Sequence, residues 1–367
     1  MRNIVDFVDS LAVDKIQSYK GLAIAPLIGS DSNLSYLTLS EALKDGLKIT
    51  ESGSVPELGV RNDTEKEVLM INGEYILGGM QNRMIVRNIY LERGFKGKIP
   101  VRCVQQGRWH YSEEEPRHSR EREPDLEPVP SHVEGCGVSP HFGKKYGFSA
   151  GKKAAFLCAS AHSQHDVWNG VSFYLNSAGI NSRTSDLNEL YEKKDKEIKE
   201  YKKRFSPLER QVGMVAVLDG KKKTFIAEVF DRAETFGKYF DKLVEGYVVD
   251  AIVRKGEAKV SDKEVRGFLS SIDSRNCKFS EREPVSLGKD IEISMNDIEG
   301  NALSYKNIVL YLNLFTKEKR HSSRNEDDSR EQIHIPTVFG PSAYRTGRIH
   351  PRADMFGRRY GGGCFGF

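Results

Sequence analysis

The chain has 367 residues, 38% hydrophobic and 29% charged, with 56 basic against 52 acidic side chains, a formal net charge of +4 and a mean hydropathy of −0.53. No run approaches the roughly 20 apolar residues of a bilayer-crossing helix, and cysteines at the scattered positions 103, 136, 158, 277 and 364 make no disulfide framework. A soluble protein of the reducing cytoplasm, with no membrane partner, is the expectation; the small basic excess does not demand a polyanionic one.

In chain order, residues 1–20 place Ile4, Val8, Leu11 and Ile16 among Asp6, Asp9 and Asp14, the pattern of an amphipathic helix and not of a signal peptide. Two strands are expected over 21–28 and 34–39. A short helix should follow, with Ser40 as its N-cap and Gly46 as its stop.

The stretch from Val55 to Tyr111 is β-patterned and broken by turns. Strands are expected over 55–61, 67–71, 84–91 and 99–104. Asn72-Gly73 has the composition of a two-residue type I′ hairpin, Arg93-Gly94 of another turn, and Pro100 belongs at a strand start or on an edge. Glu74, Gln81, Asn82, Arg83, Gln105, Arg108 and Trp109 then fall at strand ends and turns, where a scaffold presents binding groups. Arginine offers a planar fork to phosphate, amides offer donors and acceptors, and tryptophan offers a stacking face. The plainer alternative is that Arg83 pairs with Glu74, the amides satisfy turn backbone, and Trp109 fills core.

Residues 112–150 read as a long Pro- and charge-rich insertion, against a usual connection of about 4–6 residues. His132, Cys136, His141, Cys158, His162 and His165 follow no zinc spacing, so neither a metal nor a cofactor is assigned. Helical periodicity begins near Ser149 and carries Val167, Trp168, Val171, Tyr174 and Leu175 to a stop at Gly179, with Gln164 on the first turn. A second helix from Ser185 buries Leu187, Leu190, Tyr191, Ile198, Tyr201 and Phe205 and carries i,i+4 ion pairs outside. Lys202, Lys203 and Arg204 close it, suited to phosphate or, better, to the helix macrodipole.

Val212–Leu218 and Thr224–Phe230 form an expected hairpin across Asp219-Gly220, and Asp231 to Glu234 has capping-box form ahead of a helix whose apolar stripe should cross the sheet. Asp250, beside that stripe, is expected at the surface. Residues 287–295 and 308–315 read as strands, the latter central. Residues 316–367 read as a charged linker and an Arg/Gly/aromatic tail. Phosphate-loop, nucleophile-elbow, metalloprotease-helix and dinucleotide fingerprints are missing. Cys103, inside an apolar strand, should be a buried thiol.

Several of these motifs occur together in one known family. Asn72-Gly73-Glu74, Gly79-x-Gln81-Asn82-Arg83, Pro100 with Cys103, Gly107-Arg108-Trp109, Gln164-x-x-Val167-Trp168, Gly213 to Gly220, and Gly246 to Asp250 give a sequence that resembles the ARG and rhodanese-phosphatase-superfamily-associated protein domain family over most of residues 20–255. The resemblance implies genomic association with ADP-ribosylglycohydrolases and rhodanese- or phosphatase-like enzymes, without an established activity. The family pattern has Glu where this chain has Gln105, and a glutamine cannot titrate.

The combined expectation is an α+β protein: an antiparallel β-rich layer over about 20–111 packed with helices and a β-hairpin–helix unit. An N-terminal helix over 1–20, a main domain over 21–315 and a tail over 316–367 make up the chain. Its leading function is recognition of a nucleotide or of an ADP-ribose- or NAD-related ligand. Arg83 and Arg108 would meet phosphate, Trp109 a base, and Glu74, Gln81, Asn82 and Gln105 the ribose or the loops, with Gln164 close by. A scaffold docking a partner enzyme, and nucleic-acid binding through the basic helix end and tail, stay open as alternatives.

Overall fold

Residues 2–77, 79–107, 164–219, 223–273 and 275–316 are described by the computed structural model. The expected insertion over 112–150 and the tail beyond residue 316 lie outside them. The amphipathic N-terminal pattern is helical only in α1 (Arg2–Asp9). Beyond it β1 (Ala12–Val13) and β2 (Gln17–Tyr19) both pair with one edge of β3 (Leu22–Ile28), which would otherwise leave a row of backbone groups unmet. A short β4 (Leu37–Thr38) leads into α2 (Leu39–Asp45). Its N-cap is Thr38 and not Ser40, because Glu41 reaches back to accept the Thr38 backbone N–H at 2.9 Å. Gly46 ends the helix as expected.

Seven strands follow: β5 (Leu47–Glu51), β6 (Glu57–Asn62), β7 (Val68–Met70), β8 (Tyr75–Ile76), β9 (Arg83–Ile85), β10 (Ile89–Leu91) and β11 (Lys96–Cys103). They make two small sheets, in orders β5-β6-β11-β9-β8 and β10-β7-β4. Asn72-Gly73 is therefore not a type I′ hairpin. Only Gly73 takes positive φ, +91°, and the Glu74 N–H donates to the Ile71 carbonyl at 3.2 Å, the arrangement of a type II turn. That turn sends β7 and β8 into different sheets. Pro100 sits in mid-strand, where β11 changes partner: residues 96–100 pair with β6 and residues 101–103 with β9. A residue without an N–H fits such a changeover.

Next come α3 (Gln164–Ser177), α4 (Asn188–Lys193) and α5 (Asp195–Lys202). The single helix expected from Ser185 is two, because Lys194 leaves helical geometry at φ −103°, ψ 8°. Glu189–Lys193 and Asp195–Lys199 pair at 3.0 and 2.8 Å as expected, while Glu200 turns to Lys20 at 3.3 Å. The expected pairing of β12 (Gln211–Leu218) with β13 (Thr224–Phe230) forms, with Leu218 opposite Thr224. It feeds α6 (Ala233–Arg254), whose buried stripe packs on β12. The box at Asp231 is not used: Arg232 is the N-cap, and Asp31 accepts the Ala233 N–H at 2.8 Å from a distant part of the chain. After α7 (Asp262–Ser270), β14 (Lys278–Arg282), β15 (Lys289–Ser294), β16 (Ile298–Tyr305) and β17 (Ile308–Thr316) complete the fold.

The α+β class holds, with a refinement. Instead of joining the layer formed by residues 47–103, β3 pairs with β12 in a nine-strand sheet of order β1-β3-β12-β13-β17-β16-β15-β14, with β2 also paired to β3. One face of that sheet is covered chiefly by α6, in an apolar core shared with α3, α4, α5 and residues of the small sheets, and the other by α1 and α7. Covering on both faces explains why every residue of β12 is buried and why β17 is apolar on both sides. Among the described residues no helix is long and apolar enough to cross a membrane.

Candidate functional site

After β8 the chain loops back and lays Gln81, Asn82 and Arg83 against the end of β11. Gln81 donates through Nε2 to the Gln105 carbonyl at 3.1 Å and accepts from Arg83 Nη1 at 3.0 Å. The Asn82 N–H donates to Gln105 Oε1 at 3.2 Å, while its Nδ2 donates to both carboxylate oxygens of Asp186 at 3.1 and 3.0 Å. Arg83 is 0% exposed and faces Glu51 at 3.8 Å. These groups fix one another's orientation, since a buried polar side chain without a partner costs about 1–3 kcal/mol.

Two further contacts bring distant segments to this cluster. Gln164, the first residue of α3, brackets Cys103: its Oε1 accepts the Cys103 N–H at 3.1 Å and its Nε2 donates to the Cys103 carbonyl at 2.7 Å. The Gly107 N–H donates to the Thr184 carbonyl at 2.8 Å. A Cβ on Gly107 would stand 2.7 Å from Thr184 Cα, so this approach admits only glycine. Glu74 lies at the other end of β9, where its carbonyl accepts the Ile85 N–H at 2.9 Å. Its carboxylate accepts the Ile71 N–H at 2.9 Å and stands 3.9 Å from the Lys242 ammonium on α6.

Gln81, Asn82, Arg83 and Gln105 thus share one buried cluster, Gln164 joins it through Cys103, and Glu74 borders a second group on α6. Arg108 and Trp109 lie outside the described residues, as do His132, Cys136, His141, Cys158 and His162. Glu51, Thr184, Asp186 and Lys242 were not legible as members. Only the charges of Glu51 and Asp186 at the edges of apolar runs hinted at them.

Electrostatics sets what these groups can do. Burial is the largest influence on Lys242 and holds its ammonium below the ordinary lysine value, against the pull of Glu74, Glu245 and Glu41. Burial also pushes the Cys103 thiol up, more than the Gln105 N–H, which donates to its Sγ at 3.4 Å, lowers it, and this disfavours the thiolate a nucleophile needs. Lys202 is spent on Glu245 at 2.6 Å and Asp241 at 3.2 Å, and Arg204 lies over the Tyr19 ring.

The interior holds further carboxylates that sequence reasoning passed over. Glu228, 0% exposed on β13, accepts from the hydroxyls of Tyr247 and Tyr311 and from Asn313 Nδ2. Asp250, expected at the surface, is 2% exposed and accepts from Tyr174 at 2.7 Å. It lies on the face of α6 turned toward α3, and helix packing, which the local pattern did not reveal, buries it. Asp231 accepts from Tyr36 and from Ser32. The one signal for Glu228 was a charge in the middle of an otherwise apolar strand.

The model of the ARG and Rhodanese-Phosphatase-superfamily-associated Protein domain matches residues 10–315. The chain belongs to this family. No curated protein and no solved structure matches it. The family match spans every element from β1 to β17 apart from the last residue of β17, and so takes in the buried cluster, the α6 carboxylates and residues 108–163 between them. Within the motifs that suggested the family, Gly107 keeps two chain segments in contact and Gln164 closes a strand edge.

Proposed function

We propose that this domain recognises a nucleotide of the ADP-ribose or NAD type at the buried polar cluster around Arg83. The observation that carries the reading is an arginine with 0% exposure, held by Gln81 and Glu51 and flanked by the matched amides of Asn82 and Gln105. Burying a charge costs several kcal/mol that apolar packing would not, and such groups concentrate where a ligand's charge is to be met. The cluster supplies a buried guanidinium, faced by Glu51, among amides that offer both donors and acceptors. Arg108 and Trp109 follow directly on Gly107, which is anchored there, and supply a guanidinium for phosphate and a ring for a base. The association with ADP-ribosylglycohydrolases that the family resemblance implies supports this ligand class. An exposed apolar patch would favour a docking scaffold, but Leu208, at 36%, is the single exposed large hydrophobic among the described residues.

The test is a thermal-shift and calorimetric screen of the full chain against ADP-ribose, NAD, AMP and phosphate. A ligand at 100 times its dissociation constant adds about 2.7 kcal/mol. Arg108→Ala and Trp109→Ala should remove the shift and leave the melting temperature of the free protein in place. Flat curves across the panel would overturn the reading.

A further inference from the structure

A cleft of about 960 Å³ opens at the opposite end of α3 from Gln164. Its walls are the β2 end at Tyr19 and Lys20, the C-terminal end of α3 with Gly179, α5 with Lys194, Glu197 and Tyr201, and the C-terminal end of α6 with the chain that follows it to Lys259. The 14 residues of α3 put about 20 Å between this cleft and the Arg83 cluster. None of the cluster's residues lines it.

Four lysines, 20, 194, 255 and 259, face two glutamates, 197 and 257, in its lining. Cations near helix C-termini have an ordinary explanation, the partial negative charge of the last carbonyls, and both α3 and α6 end here. Lys255 occupies the left-handed position after α6 at φ +55°, where its N–H caps the Ala251 carbonyl at 3.0 Å. Among the described residues Lys255 has no ion-pair partner, whereas Lys20, Lys194 and Lys259 pair with Glu200, Glu197 and Glu257. The volume lies at the upper end of the roughly 300–1,000 Å³ of small-molecule sites.

We propose that this cleft is a second, separate binding site, for a small anion that carries a chain of phosphates. The four lysines of its lining meet the phosphate oxygens, Lys255 first because no carboxylate pairs with it among the described residues. Tyr19 is already covered by Lys20 and Arg204, so the phosphate chain and not an aromatic ring is the recognised part.

Isothermal titration of the full-length protein with inorganic tripolyphosphate, at low and at moderate salt, tests the site. Saturable binding that weakens with salt is expected, and Lys194→Gln with Lys255→Gln should weaken it about tenfold or more. Lys278→Gln with Lys289→Gln, the same charge change on β14 and β15, should leave it unchanged, as should Arg108→Ala. Absence of saturable binding, equal weakening by both lysine pairs, or loss in Arg108→Ala would overturn the proposal. ADP-ribose carries a diphosphate of its own, so the variants separate the sites: a shift lost in Arg108→Ala reads the Arg83 cluster, and one lost in Lys194→Gln with Lys255→Gln reads the cleft.

Discussion

Gln164 pairs with Cys103 as a neighbouring strand would, its side-chain amide taking both the N–H and the carbonyl of that residue at 3.1 and 2.7 Å. A helix thereby closes the strand edge that β6 ceases to cover after Pro100, while β9 stays on the other edge, and residues 103 and 164, sixty-one apart in sequence, are held together. Gln164→Leu leaves both backbone groups unmet in a half-buried setting. We expect a loss of about 2–3 kcal/mol, seen as a lower urea midpoint at unchanged slope. A variant as stable as the parent that fails to bind ligand would instead make Gln164 a ligand contact.

Asp290, 1% exposed, accepts from Arg87 and Arg282 at 2.8 and 2.9 Å and ties the segment between β9 and β10 to β15. Removing the acid leaves two half-buried cations facing each other. Asp290→Ala should cost about 3 kcal/mol, the low end for a broken buried pair because both arginines keep some water. Hydrogen exchange should then speed up in β10 and β15 ahead of β12; uniform change would mean that the pair does not join the two parts.

Glu228 receives hydroxyl donors from α6 and from β17. Burial holds the Tyr247 and Tyr311 hydroxyls far above their usual values, so both remain donors. Tyr247→Phe should destabilise by about 1–3 kcal/mol. In a cycle with Glu228→Gln the two losses should couple by more than about 0.5 kcal/mol. Strict additivity would contradict a shared hydrogen bond.

Asp231 gives a pH signature. Burial, the largest influence, lifts its carboxyl above the ordinary range even though Ser32 and Tyr36 donate to it. With the folded value above the unfolded one of about 3.9, the folded state holds the proton longer. The resulting stability is full below the unfolded value and is lost as pH rises through the folded one. Asp231→Asn carries no such dependence. Denaturation curves from about pH 3 to about pH 7 should show the parent losing stability relative to the variant as pH rises, whereas parallel curves would place Asp231 in water.

Cys103 is fully buried, with its Sγ donating to the Gln105 carbonyl at 3.1 Å. Alkylation followed by peptide mass analysis should leave it unmodified in the native protein and label it in denaturant. Rapid native labelling would show that β11 opens at this end.

Local signals determined most of the elements. The period of α6, the turn composition between β12 and β13, and the apolar run of β17 are properties of adjacent residues, and each appears where the pattern put it. The sequence also brought out Gln81, Asn82, Arg83 and Gln105 as a set, because polar side chains crowded into a β-patterned stretch need partners. Their partners were decided elsewhere. Asn82 meets Asp186 across 104 positions, and the start of α6 is capped by Asp31 across 202, so the box at Asp231 stays unused and its carboxylate turns inward to Tyr36. Periodicity cannot encode such pairs, since it reports which face of an element is apolar and not what lies across from it. The same limit hid Asp250. A carboxylate beside an apolar stripe reads as surface until a second helix, α3, brings Tyr174 against it, and only the packing of α3 on α6 decides that the position is interior.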